Sequence, residues 1–171
     1  MPEESKKTVR YDIDGYDIVT NALKDLLNQY PGLLKGEKFK FSTLEEDSGM
    51  TFYPVTGAVI ATEKKSITGK VNQLCNYPFF LVYRTSINSP NSKVDIKEFL
   101  DSVGKWLERQ VIIIDGEKHK LESYPVLTEE RKIEEIKRLT PSYLDNTYDN
   151  NVQDWAISLS LKYRNIFRVT N

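Results

Sequence analysis

Apolar residues along this chain change period several times, and each change predicts an element. From about Tyr16, the positions Val19, Ala22, Leu23, Leu26, Leu27 and Tyr30 recur at steps of three and four. That spacing puts one apolar stripe on a helix. Pro31-Gly32 ends it, because proline disfavours helix in the residue before it and glycine accepts a left-handed cap. Asp14 and Asp17 are the candidate caps. At Phe39 and Phe41 the period drops to two, as in a half-buried strand. Short strands follow at Thr51 to Tyr53 and Gly57 to Thr62, then a polar turn from Glu63 to Gly69. Tyr77 to Ile87 reads as a long strand, with Tyr77, Phe79, Leu81 and Tyr83 on one face and Phe80 and Val82 on the other. Apolar residues on both faces mark it as central, or as meeting a partner on one side.

A second helix is expected after Asn88 to Ser92, with the stripe Ile96, Phe99, Leu100, Val103 and Leu107, and with Trp106 beside it in the core. Asp95 and Glu98 resemble a capping box. Val111 to Ile114 runs into Asp115-Gly116, a hairpin signal, with Leu121 to Tyr124 as the returning arm. Thr128 to Leu139 stays open between helix and strand: its many Glu, Lys and Arg favour a helix, yet Ile133 and Ile136 are its only internal apolar anchors. The end is the plainest strand, with Trp155, Ile157, Leu159, Leu161 and Tyr163 alternating against Ala156, Ser158, Ser160, Lys162 and Arg164. Ser142 to Tyr148 can pair with it across Asp149-Asn150-Asn151. Residues 1–12 carry mixed charge without apolar period, so a flexible N-terminal arm is expected there and a single α+β domain over 13–171.

Composition narrows the function. The 24 Lys and Arg against 25 Asp and Glu leave a net charge of −1, which argues against direct nucleic-acid binding. One Cys and one His exclude an intramolecular disulfide and a multi-Cys or multi-His metal centre. No apolar run approaches the ~18–20 residues of a membrane span, and Met1 to Arg10 lacks the apolar core of a secretory signal. No membrane partner is expected.

Each candidate for chemistry has an ordinary explanation beside it. His119 sits among Lys and Glu just past a hairpin turn, where an inert surface histidine is the usual case. Cys75 opens the long strand; a nucleophilic cysteine needs a base or positive field, and a buried structural one does not. If Cys75 is fully buried or distant from His119, no nucleophile–base pair exists. Asp145, Asp149 and Asp154 offer oxygens at short spacing, but the calcium-loop order is missing and a polar turn accounts for them. The glycines are isolated, so no phosphate-binding loop is present. Lys64, Lys65 and Lys70 form a small basic turn diluted by Glu63. No cofactor is implied. The unusual feature is the aromatic content, 11% with ten Tyr, much of it on strands. Tyr and Trp concentrate at interfaces. Phe80, Val82 and Arg84 share the face opposite Phe79, Leu81 and Tyr83, and are the candidate subunit interface, with Arg84 as its polar rim.

Several stretches resemble proteins of one family. Gly57-Ala58-Val59-Ile60-Ala61-Thr62-Glu63-Lys64-Lys65-Ser66, Tyr77-Pro78-Phe79-Phe80-Leu81-Val82-Tyr83-Arg84-Thr85, Phe99 to Leu107, Tyr124-Pro125-Val126-Leu127, Arg131-Lys132-Ile133 and Asn151-Val152-Gln153-Asp154-Trp155 are similar to segments of small proteins from the structural genes of long-tailed phages or prophages of Gram-positive bacteria. These are minor capsid proteins of the tail-terminator kind, and the resemblance runs over roughly residues 16–168. It implies an α+β fold with a curved, mainly antiparallel sheet and two main helices packed on one face. It leans toward a strand around Ile133 to Leu139. It implies a non-enzymatic virion protein, made in the host cytoplasm and placed at the head–tail junction. Such a protein ends tail-tube growth and joins the tail to the head connector. Its partners would be itself, in a hexameric ring, the tail-tube protein and a head-completion or connector protein. Another head–tail joining or minor capsid component is the near alternative. A small hydrolase resting on Cys75, His119 and scattered carboxylates is the alternative of another class.

Overall fold

A computed structural model describes residues 8–86 and 90–170. The elements in chain order are α1 (Ile13–Leu27), β1 (Phe39–Phe41), β2 (Gly49–Pro54), β3 (Val59–Lys65), β4 (Lys70–Ser86), α2 (Pro90–Leu107), β5 (Ile112–Ile114), β6 (Glu117–His119), β7 (Arg131–Arg138), β8 (Tyr143–Thr147) and β9 (Val152–Arg168). Seven strands form one sheet in which only the β1–β2 pair is parallel. The class is α+β, as expected. The sheet is built around β4 and β9, which pair antiparallel along their whole length, from Lys70 opposite Arg168 to Ser86 opposite Val152. Shorter strands flank this pair, β2 and β3 on the β4 side and β7 and β8 on the β9 side.

The sheet is open, neither closed nor curled, where the resemblance implies a curved one. Bulges bend strands, and here they fall only on the flanking β3, β7 and β8. The β4–β9 ladder runs without a break.

Alternation decides the two faces. Cys75, Tyr77, Phe79 and Leu81 of β4 lie opposite Tyr163, Leu161, Leu159 and Ile157 of β9, and all eight are fully buried. Both helices pack on this face, their stripes Val19, Leu23, Leu26, Leu27, Leu100, Val103 and Leu107 joining one core with it. Thr20 of α1 bonds the Tyr77 hydroxyl at 2.8 Å. Trp106 is in the core and meets Tyr30 edge-on.

Several boundaries differ from the sequence expectation. Asp12, not Asp14 or Asp17, caps α1, accepting from the Gly15 amide. It also accepts from both Arg131 nitrogens and the Tyr163 hydroxyl. The long strand begins at Lys70 and β3 extends through Lys65, so the expected polar turn is mostly hairpin. Lys and Glu serve there because that part of β3 is exposed. The helix expected after Asn88 to Ser92 begins at Pro90, so Asp95 lies inside α2 and caps nothing; residues 87–89 lie outside the described residues. The arm returning from Asp115-Gly116 is Glu117–His119, not Leu121 to Tyr124. Both turn residues have positive φ, 49° and 79°, the tight hairpin geometry that Asp-Gly favours. Within the open segment 128–139, Arg131–Arg138 form strand β7. Ile133 and Ile136 reach the core from either side of a bulge, facing Tyr163 and Leu161, and this burial outweighs the helix preference of the glutamates.

Residues 8–12, expected within a flexible arm, are held against the sheet. Asp12 N–H donates to the Ala58 carbonyl, Ile60 N–H to that of Arg10, and Tyr11 bridges Val59. Residues 1–7 lie outside the described residues. No helix among those described is long and apolar enough to cross a membrane.

Candidate interaction face

The face opposite the helices carries Phe80, Val82 and Arg84 together, as alternation along β4 requires. Across β9 they meet Ser158, Ala156 and Asp154; across β2, Phe80 meets Tyr53 and Val82 meets Thr51. No described helix covers this side. A groove of about 390 Å³ runs here, floored by Val82 and Ala156 and walled by Leu44, Tyr53, Phe80, Tyr143 and Tyr148. Apolar floor and amphipathic aromatic walls are the composition of contact surfaces.

Arg84 is not the loose polar rim expected of it. Its guanidinium forks onto Asp154, Nε to Oδ1 at 2.7 Å and Nη2 to Oδ2 at 2.9 Å. A third donor reaches the Glu45 carbonyl, and Nη2 also reaches the Tyr148 hydroxyl. The guanidinium stands 5.2 Å from the Tyr148 ring centre, and that tyrosine's hydroxyl donates to Asp154. The paired carboxylate and its hydrogen bonds hold Arg84 charged well above its usual range. A two-point charge-assisted pair of this kind is rigid. It ties β4, β9, the Glu45 loop and the turn after β8 into one wall, and leaves little free charge on Arg84 for a partner.

No local pattern in the sequence marks Asp154, Tyr148, Tyr53, Tyr143 or Leu44 for this site. The short spacing of Asp145, Asp149 and Asp154 offers oxygen donors, yet the Asp154 oxygens are taken by Arg84 and Tyr148. No group of three or more His, Cys, Asp or Glu suited to a metal ion occurs among the described residues.

The other candidates stay apart from this face. Cys75 is fully buried on the helix side, and burial pushes its thiol up to about 11. The ionisable groups bearing on it are Tyr163, Asp12, Arg131 and Glu63, not His119. His119 stands on the separate β5–β6 hairpin, opposite Ile112 and 3.9 Å from Glu117. A thiol without a base and without access is no nucleophile. Accordingly His119→Ala should fold with unchanged stability, and Cys75→Ser should fold at some cost in stability, as read by urea unfolding. A lower urea midpoint for His119→Ala would reverse this.

No protein-family model matches the chain, and no match to a curated protein is found.

Proposed function

We propose that the chain is a non-enzymatic virion assembly protein of a long-tailed phage or prophage, a tail terminator that ends tube growth and joins the tail to the head connector. The resemblance of its residue stretches motivates the reading. The observation that carries it is the helix-free face, where an aromatic groove beside Phe80 and Val82 lies open while the opposite face is packed. An open groove with an apolar floor and tyrosine walls has the composition of a contact surface. The proposed contacts are further copies of the chain in a ring, the tail-tube protein and a head-completion protein. A different head–tail joining component would use the same face.

Electron microscopy of virions carrying the labelled chain tests the placement. Label at the head–tail junction is expected, and label found only elsewhere removes the terminator reading. The face itself is tested by substitution. Val82 is already 93% enclosed by its own chain, at 7% exposure, so a charge there penalises folding first. Phe80, half-buried on the groove wall, is the cleaner probe. Phe80→Glu is expected to fold and to stop heads joining tails, because an unpaired charge is tolerated in water and penalised in a closed contact. Normal particle yield from the folded variant would exclude this face from assembly.

A further inference from the structure

A cavity of about 470 Å³ opens beside the start of α1, on the helix side of the sheet and apart from the assembly face. Its size suits a small ligand. Strand register sets Gln73 of β4 beside Asn165 of β9, and Asn165 beside Arg131 of β7, and all three line the cavity. Gln73 and Asn165 are only 5% and 4% exposed. Their amides form a ladder with one possible direction. The Glu63 carboxylate can only accept, and it takes the Gln73 amide N–H at 3.1 Å. Gln73 Oε1 then accepts from Asn165 Nδ2 at 3.2 Å. Asn165 Oδ1, the branch turned away from Gln73, ends the ladder as an acceptor. It is buried and has no hydrogen-bond partner among the described residues. Reversing the Asn165 amide would set oxygen against oxygen, so no flip of the group removes the unmet acceptor. A buried amide oxygen left unmet is costly, and a donor entering from the cavity would meet it.

The charges around the cavity select the kind of donor. Its two cations are matched by carboxylates, Arg131 by Asp12 at 2.8 Å and Arg10 by Glu63 at 2.7 Å. Asp14 and Glu130 also line it, are exposed, and are in no ion pair among the described residues. Both are fixed in place by their backbone. Asp14 stands in the first turn of α1, and the Glu130 carbonyl accepts from the Ile166 amide at 2.9 Å. A helix start favours anions, but here Asp12 already caps it. Half-buried Ile60 and Phe167 supply an apolar wall. We propose that this cavity binds an alkylammonium group. Its N–H donates to Asn165 Oδ1, its charge is balanced by Asp14 and Glu130, and its aliphatic stem lies on Ile60 and Phe167. A free aliphatic polyamine and a lysine side chain of another protein both carry this group. The site shares no residue with the assembly face, so it stands whether or not the terminator reading does.

Nuclear magnetic resonance on the full, isotope-labelled chain tests the site. Titrated cadaverine should move the side-chain amide signals of Asn165 and Gln73 to saturation, whereas neutral pentanediol and anionic glutarate should not. Asn165→Leu, read at Gln73, is expected to weaken cadaverine by about tenfold or more, the loss of one charge-assisted hydrogen bond. Asp14→Asn with Glu130→Gln removes only exposed charge and should weaken it roughly threefold to tenfold. Glu46→Gln with Asp47→Asn, the same change of net charge on the loop before β2, should leave the affinity unchanged. Circular dichroism confirms that each variant is folded. Acetyl-lysine amide separates the sources: tighter binding than cadaverine assigns the site to a protein lysine, weaker binding to a free polyamine, and either supports the site. If Asn165→Leu fails to fold, the rim pair and the uncharged probe decide. No saturable shift with either amine, an affinity for cadaverine untouched by the rim pair, or glutarate binding as tightly as cadaverine overturns the proposal; in the last case Arg10 and Arg131 would make the cavity an anion site.

Discussion

Asp12→Ala should lower the stability of the chain by roughly 3–5 kcal/mol, the cost of removing one partner from a buried ion pair. Arg131 meets Asp12 through two nitrogens, and only 13% and 7% of the two side chains are exposed. The substitution strands the guanidinium, empties the acceptor of the Tyr163 hydroxyl and removes the cap of α1, the last alone worth about 0.5–2 kcal/mol. Gly15 shows how tight the junction is, since an added Cβ would stand inside contact distance of both the Asp12 carboxylate and the Tyr163 hydroxyl. The effect carries a pH signature. Burial pushes the Asp12 carboxyl up, but hydrogen bonds from Arg131, Tyr163 and the Gly15 amide outweigh it and hold the group below its ordinary value of 3.8. A carboxyl with a depressed folded pKa stabilises the fold above its unfolded pKa and loses that contribution as pH falls through the folded one. The gap in urea midpoint between wild type and Asp12→Asn should therefore be widest above pH 3.8 and narrow below it. A gap that stays constant through the acid range would show that the carboxylate charge is not what holds the junction.

Leu100→Ala should cost ~2–5 kcal/mol, toward the upper part of the range for a core leucine that leaves a cavity. Leu100 is fully buried within the stripe that α2 turns toward the sheet. The helix has little room to settle into the gap. A Cβ added at Gly104 would lie 2.5 Å from Arg138 Cδ and 3.1 Å from Ile157 Cδ1, so helix and sheet already touch through a glycine. Urea unfolding should show a lower midpoint with an unchanged slope, the sign of altered stability rather than altered compactness. An unchanged midpoint would place Leu100 outside the core and break the helix stripe as described.

Much of this architecture was legible from local pattern. The stripes Val19–Leu27 and Ile96–Leu107, the alternation from Tyr77 to Tyr83 and from Trp155 to Tyr163, and the Asp115-Gly116 hairpin each depend on periodicity or turn chemistry within a few residues. That is also why Phe80, Val82 and Arg84 could be placed on one face: a strand alternates whatever it pairs with. The terminal stretch 149–151 behaved the same way, with Asn151 at φ 62° in the turn between β8 and β9.

The rest depended on register, which no local pattern contains. Residues 131–138 have the composition of a surface helix, and only the apolar wall offered by Tyr163 and Leu161 makes them a strand. Asp12 reads as part of a charged tail until Arg131 and Tyr163 are brought beside it. The groove needs Arg84 opposite Asp154 and Tyr53 opposite Phe80, pairings that one slipped residue would send to the other face. The sequence by itself determined the elements and their apolar faces, because those follow from side-chain period and backbone preference. Only the tertiary structure decided which polar residues share a wall, because those pairings join residues far apart in sequence, from Tyr53 with Phe80 to Arg84 with Asp154, 70 positions apart, and Asp12 with Arg131, 119 apart, and exist only once the strands are in register.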